Sequence, residues 1–173
     1  MEKTLECLND LLAKLQKLLS LHRQLLESLR AEREALLGMD VKRIHDSALE
    51  KQGILHQIAI AEQARATSAA AAATILGAAK GQENLSNLIL LAQSASLKLS
   101  DQLRSVQQAL QMLVTRIQDQ NLSNLRLVES SIQHLEQMKK NVIGEAAPRS
   151  GTYSATGQKQ NAPVQSRLIS TEV

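Results

Sequence analysis

The chain has 173 residues, 30 of them Leu and 22 Ala, with no Trp, no Phe, one Tyr and two Pro. Aromatic side chains bury the most area in an ordinary mixed domain, so their near absence argues against layered β folds and deep small-molecule pockets and for long helices packed side by side. A formal net charge of +3, from 20 basic and 17 acidic residues, is too balanced for an electrostatic nucleic-acid binder, and no aromatic platform exists for stacking single-stranded bases.

Residues 5 to 36 carry one seam at alternating steps of three and four: Leu5, Leu8, Leu12, Leu15, Leu19, His22, Leu26, Leu29, Arg33 and Leu36. Leu11, Leu18 and Leu25 widen it, which is the pattern of a helix pressed against more than one partner. A first helix over about 3–37 is expected to stop at Gly38, since glycine accepts the left-handed conformation that ends a helix. Asp40 then fits as the N-cap of a second helix over 41–76, and so short a link makes the pair an antiparallel hairpin. Ile44, Ala48, Leu55 and Ile58 are expected to face inward, with seam residue Lys51 snorkelling its ammonium to water. Residues 64–79 are mostly Ala, a thin helical stretch with little to bury, and Gly77 to Gly81 reads as a turn.

A third, very long helix is predicted over about 84–143. Leu99, Leu103, Val106, Leu110, Leu113 and Ile117 hold its first seam, and that frame then turns polar through Gln120, Asn124, Ser131 and His134. The apolar residues continue instead as Leu125, Val128, Ile132 and Leu135, with Asn121 bridging two successive steps of four. Such a stutter rotates the sticky face around the helix. At 1.5 Å per residue the first helix spans roughly 50 Å and the third roughly 90 Å, so part of the third must overhang, bend or find a second partner. Lys139 and Lys140 suit its last turn, Gly144 and Pro148 end it, and residues 144–173 have the composition of a disordered tail. The expected fold is therefore all-α: an elongated antiparallel bundle of three long helices over 1–143, followed by a flexible tail.

Chemistry is scarce. His22, His45, His56 and His134 form no helical metal pair, and the lone Cys7 rules out an intrachain disulfide, in keeping with a reducing cytoplasm. Glu32-Arg33-Glu34 could be a recognition cluster but reads better as a solvated helix face with local ion pairs. No Gly-rich phosphate loop, nucleophile motif or acidic pair supports an enzyme, and no cofactor or metal is implied. The N-terminus lacks a secretory pattern, and no apolar run is long enough to span a membrane. The pattern is that of a binding protein.

Several segments resemble the flagellar export chaperones of the FlgN family. They are Glu32-Arg33-Glu34-Ala35-Leu36-Leu37, Asp40-Val41, Glu50-Lys51-Gln52, the stretch from Gln120-Asn121-Leu122-Ser123-Asn124 to Val128, and Thr152-Tyr153-Ser154-Ala155-Thr156-Gly157-Gln158. The most distinctive feature is the pair of Asn three apart, followed by Tyr-x-x-x-Gly-Gln in the tail. The resemblance implies a cytoplasmic chaperone that holds hook-associated proteins (the hook-filament junction subunits) and delivers them to the export gate. It implies cargo binding on the distal third helix, at Asn121, Asn124, Leu125, Val128, Ile132 and Leu135, and gate docking at Tyr153 with Gly157.

The residues alone reach a similar point. Fully burying the four apolar side chains is worth roughly 6–12 kcal/mol gross. Folding a loose helix onto them costs about 2–5 kcal/mol, before the rigid-body cost of association. The surplus suits a reversible complex. The same four residues could instead pack in the bundle or in a homodimer, with Asn121 and Asn124 fixing register. The main alternative function is a cytosolic coiled-coil scaffold or signalling adaptor acting as a homodimer.

Overall fold

The computed structural model describes residues 2–79 and 84–143. Among them every regular element is a helix: α1 Glu2–Leu37, α2 Val41–Leu76, α3 Leu85–Ala92 and α4 Leu97–Ile143. The chain divides into two units, Met1–Ser130 and Ser131–Val173.

Within the first unit, α1 is the spine. Leu8, Leu11, Leu12, Leu15, Leu18, Leu21, Leu25, Leu26 and Leu29 are all buried, while Leu5, Leu19, His22, Arg33 and Leu36 of the expected seam are half-buried, so the residues that widen the seam lie as deep as its deepest members. α2 returns antiparallel. Ser68 of α2 donates to Asp10 near the start of α1 at 2.7 Å, and Lys51 reaches Glu32 near its end. α4 runs parallel to α1: Leu99 and Leu103 share a core cluster with Leu8–Leu15, while Asn124 bonds to Leu29 and Glu32.

The Ala-rich half of α2 is part of that core. Ala69, Ala72 and Ala73 are buried in the cluster with Leu8, Leu11, Leu88 and Leu103. Small side chains let the α1 and α2 backbones approach closely, and the apolar area comes from the leucines opposite. The inward frame of α2 differs from the expected one. Ser47 and Ile54 are buried, whereas Ala48 and Leu55 are exposed, because Ser47, Lys51, Ile54, Ile58 and Ala61 keep the three-four spacing against α1.

The helix ends follow local chemistry, with one correction. Asp40 caps α2, its carboxylate accepting from the Arg43 N–H at 3.0 Å. Gly77 ends α2 in the left-handed conformation at φ 69°, and Ala78 N–H closes onto the Ala73 carbonyl. At the end of α1, Gly38 still donates to Glu34 within the helix. Met39 is the residue that turns left-handed, at φ 50°, and Asp40 N–H reaches back to the Ala35 carbonyl. α1 thus ends at Leu37 as expected, but the left-handed residue is Met39, one later than the glycine suggested.

The expected single third helix is two. The chain turns between Ala92 and Leu97, where N–H groups of Gln93, Ser94 and Ala95 bond three residues back and Ser94 Oγ donates to the Leu91 carbonyl. Ser96 Oγ accepts from Leu99 N–H and starts α4. α3 lies antiparallel on the first turns of α4: buried Ser100 Oγ donates to the Ile89 carbonyl at 2.9 Å, and Gln107 Nε2 donates to Ser86 Oγ at 3.0 Å. Leu88, Ile89 and Ala92 enter the main core. A second, smaller core gathers Leu25, Leu29 and Ile54 with Ile58 and Ile117.

In the second unit the described residues, 131–143, are the last turns of α4. The tail 144–173, with the expected helix end at Gly144 and Pro148 and the expected docking residues Tyr153 and Gly157, lies outside the described residues, as does the link 80–83.

Candidate functional site

Three helices of the first unit meet in a polar bridge. Glu32 of α1 accepts from Lys51 Nζ of α2 through Oε1 at 2.5 Å and from Asn124 Nδ2 of α4 through Oε2 at 3.0 Å. Asn124 Nδ2 also donates to the Leu29 carbonyl at 2.8 Å, and its Oδ1 accepts from Gln120 Nε2 at 3.0 Å. One residue away on each helix, Arg33 donates to the Ser123 hydroxyl. Asn124 is only 3% exposed. A buried amide costs free energy unless its donors and acceptor are met, and here they are, so the bridge fixes the register of α4 on α1.

Two sequence readings change. Lys51 does not snorkel freely: its ammonium is held by Glu32, with a quarter of the side chain exposed. Glu32-Arg33 is not a solvated face, since both residues cross to other helices; Glu34 pairs only loosely with Arg43, at 4.0 Å. The bridge unites three of the segments that carry the family resemblance. Sequence reasoning made a site residue only of Asn124, as a cargo contact, and read Glu32 and Lys51 as a solvated-face and a snorkelling residue; the available signal for the bridge was a lysine on an apolar seam, which needs an anionic partner.

The remaining candidates are placed as follows. Asn124 turns inward, while Asn121 is exposed. In the first unit Leu125 is 52% exposed and Val128 36%. Each lies one residue, about 100° of helix turn, beyond an inward position: Leu125 after Asn124 and Val128 after half-buried Leu127. In the second unit Ile132 is 51% exposed and Leu135 65%, with Met138 and Val142 also exposed.

Titratable groups supply little chemistry beyond this. The Ser68 hydroxyl holds the Asp10 carboxyl below its ordinary range against the opposing effect of burial, and Lys14 beside it adds to the lowering. Burial, with the Asp10 charge nearby, pushes the Cys7 thiol up, which suits an inert half-buried side chain. His22 Nδ1 lies 2.8 Å from the Leu18 carbonyl. Among the described residues no cluster of three or more His, Cys, Asp or Glu could hold a metal, and no helix is long and apolar enough to cross a membrane.

What the described residues offer is apolar area presented from a helix of fixed register, and that is the chemistry of a helical protein-binding protein. A family model described as FlgN protein matches residues 1–161. The chain belongs to the FlgN family, and with membership comes the general role of a flagellar export chaperone, a binder of flagellar substrate proteins. No curated protein and no solved structure matches it.

Proposed function

We propose that this chain holds hook-associated proteins in the cytoplasm through the apolar side chains of α4 and hands them to the flagellar export gate. The observation that carries the reading is the exposure of Leu125, Val128, Ile132 and Leu135, four large apolar side chains at steps of three and four. Surface apolar residues at that spacing suit the apolar face of a partner helix. Asn121, exposed at the start of the strip, offers its amide to the polar flank of the client. Asn124 acts differently from the expected cargo contact: its amide is spent on Leu29 and Glu32, and within the first unit it turns Leu125 and Val128 outward. Tyr153 and Gly157 serve as the gate-docking peptide, a ring with a polar tip beside a residue that permits a turn.

Co-purification from the native host tests this directly. Hook-associated proteins are expected in stoichiometric amounts with the tagged chain. Their absence, together with a stable homodimer by light scattering, would favour the scaffold reading. Tyr153→Ala is expected to leave client binding intact and to weaken engagement of the gate.

A further inference from the structure

The turn between α1 and α2 holds a strained side chain that the fold does not use. Gly38 keeps its helical bond to the Glu34 carbonyl, and the left-handed position falls on Met39, at φ 50°. A side chain there is strained, whereas glycine takes that conformation freely. The order Gly38-Met39 is thus the less stable arrangement of these two residues. The Met39 side chain is 77% exposed, so no packing within the first unit offsets the strain. Strain kept at an exposed residue points to a use outside the fold.

Its neighbours share the exposure. Leu37 is 61% exposed and Val41 78%, which puts three large apolar side chains in solvent within five residues. The methionine among them is unbranched and adapts to irregular apolar surfaces.

The polar bridge sets the height of this tip against α4. The two helices run parallel, with Arg33 on Ser123 and Glu32 on Asn124. Leu37 lies four residues, about one turn, beyond Arg33, and Val128 lies four beyond Asn124. Leu37 and Val128 therefore stand at the same level. The outward side chains Leu125 and Val128 and the three of the tip occupy the same end of the first unit.

Other occupants fit this tip poorly. Three side chains fall far short of the roughly 800 Å² per partner that a stable dimer buries. Glu34, Asp40, Lys42 and Arg43 flank them, two acids and two bases, and Arg43 lies 4.0 Å from Glu34. An anionic bilayer selects a clear excess of basic residues, which the tip lacks.

We propose that Met39, with Leu37 and Val41, is a second contact for the client: the hairpin tip seats in an apolar depression of the same protein that covers Leu125 and Val128. The inference rests on the chaperone reading and deepens it, extending the client surface from α4 to the α1–α2 turn. The depression is apolar at its centre and mixed in charge at its rim, to match the flanking residues of the tip.

Calorimetry on the full chain and a purified hook-associated protein tests this, with urea unfolding alongside. Met39→Gly removes the side chain and its strain together. It is expected to weaken client binding at least fivefold while the urea midpoint rises. A side chain serving the fold alone would lower the midpoint on removal and leave affinity unchanged. Leu37→Gln is expected to weaken binding by a similar factor, and Leu90→Gln, equally exposed on α3, to stay within twofold of wild type. A wild-type chain that binds no hook-associated protein contradicts the chaperone reading and the tip contact together. Wild-type binding matched within twofold by Met39→Gly and Leu37→Gln contradicts the tip contact alone. Unchanged client affinity in these variants, with loss of a dimer or of sedimentation with phosphatidylglycerol vesicles, assigns the tip to another occupant and equally overturns the proposal.

Discussion

Asn124 of α4 donates to Glu32 of α1 at 3.0 Å, while the other oxygen of Glu32 holds Lys51 of α2 at 2.5 Å. One carboxylate thus ties three helices at the level where the apolar face of α4 rotates away from the spine. The rotation needs such a tie. Past Ile117 the inward positions of α4 are Gln120, Asn124 and Leu127, and a polar seam position holds its register through directional bonds where apolar contact is thin.

Asn124→Ala removes three hydrogen bonds and leaves Glu32 Oε2 without its amide donor. It is expected to cost about 1–3 kcal/mol in urea unfolding. In a double-mutant cycle with Glu32→Ala the two changes are expected to couple by about 0.5–2 kcal/mol. Additive effects would mean that the bridge is incidental.

Met39 occupies a left-handed position, φ 50°, with 77% of its surface exposed. A side chain there crowds the following carbonyl, and little packing is at stake. Met39→Gly is expected to raise stability by about 0.5–1 kcal/mol, read as a higher urea midpoint. A lower midpoint would show that the side chain contributes more than its exposure suggests.

Gly53 lies inside α2, and a Cβ added there would meet nothing within 4 Å. Helix propensity then decides the outcome. Gly53→Ala is expected to stabilise the chain by about 0.8–1 kcal/mol in the same assay. No gain would place a close neighbour at that position in solution.

Asp10 titrates below its ordinary range because Ser68 donates to it and Lys14 adds a second bond and a charge. A depressed carboxyl stabilises the fold at pH values above its unfolded pKa, and the contribution is lost as pH falls through the lower native value. The urea midpoint should therefore drop on acidification below the ordinary carboxylate range, and Ser68→Ala should flatten that part of the profile. An unchanged slope in Ser68→Ala would remove Asp10 as the source.

The all-helical class was legible because apolar period and helix propensity agree along nearly the whole chain. Asp40 was legible as a cap and Gly77 as the start of a turn, because both are local chemistry. The break at 93–96 was hidden: Ser94, Ala95 and Ser96 do not stop a helix by propensity, and the turn is held by Ser100 reaching Ile89 once α3 has folded back. The face of α2 was misread because its buried positions include Ser47, Ser68 and Ala72, which a hydrophobic pattern passes over. The polar bridge was hidden for a related reason: Lys51 and Asn124 stand on seam positions where a polar side chain names no partner, and Glu32 looks like a surface residue until three helices meet around it. The outward turn of Leu125 and Val128 was legible, because a step of four followed by another step of four leaves the inward frame whatever the neighbours are.

The central claim is that the outward apolar side chains of α4 hold the client. The most direct measurement is the affinity of Leu125→Asp/Ile132→Asp for a purified hook-associated protein, with helicity followed by circular dichroism. Loss of two buried apolar contacts predicts binding at least about a hundredfold weaker, roughly 3 kcal/mol, with helicity unchanged. Wild-type affinity in the double variant would contradict the account.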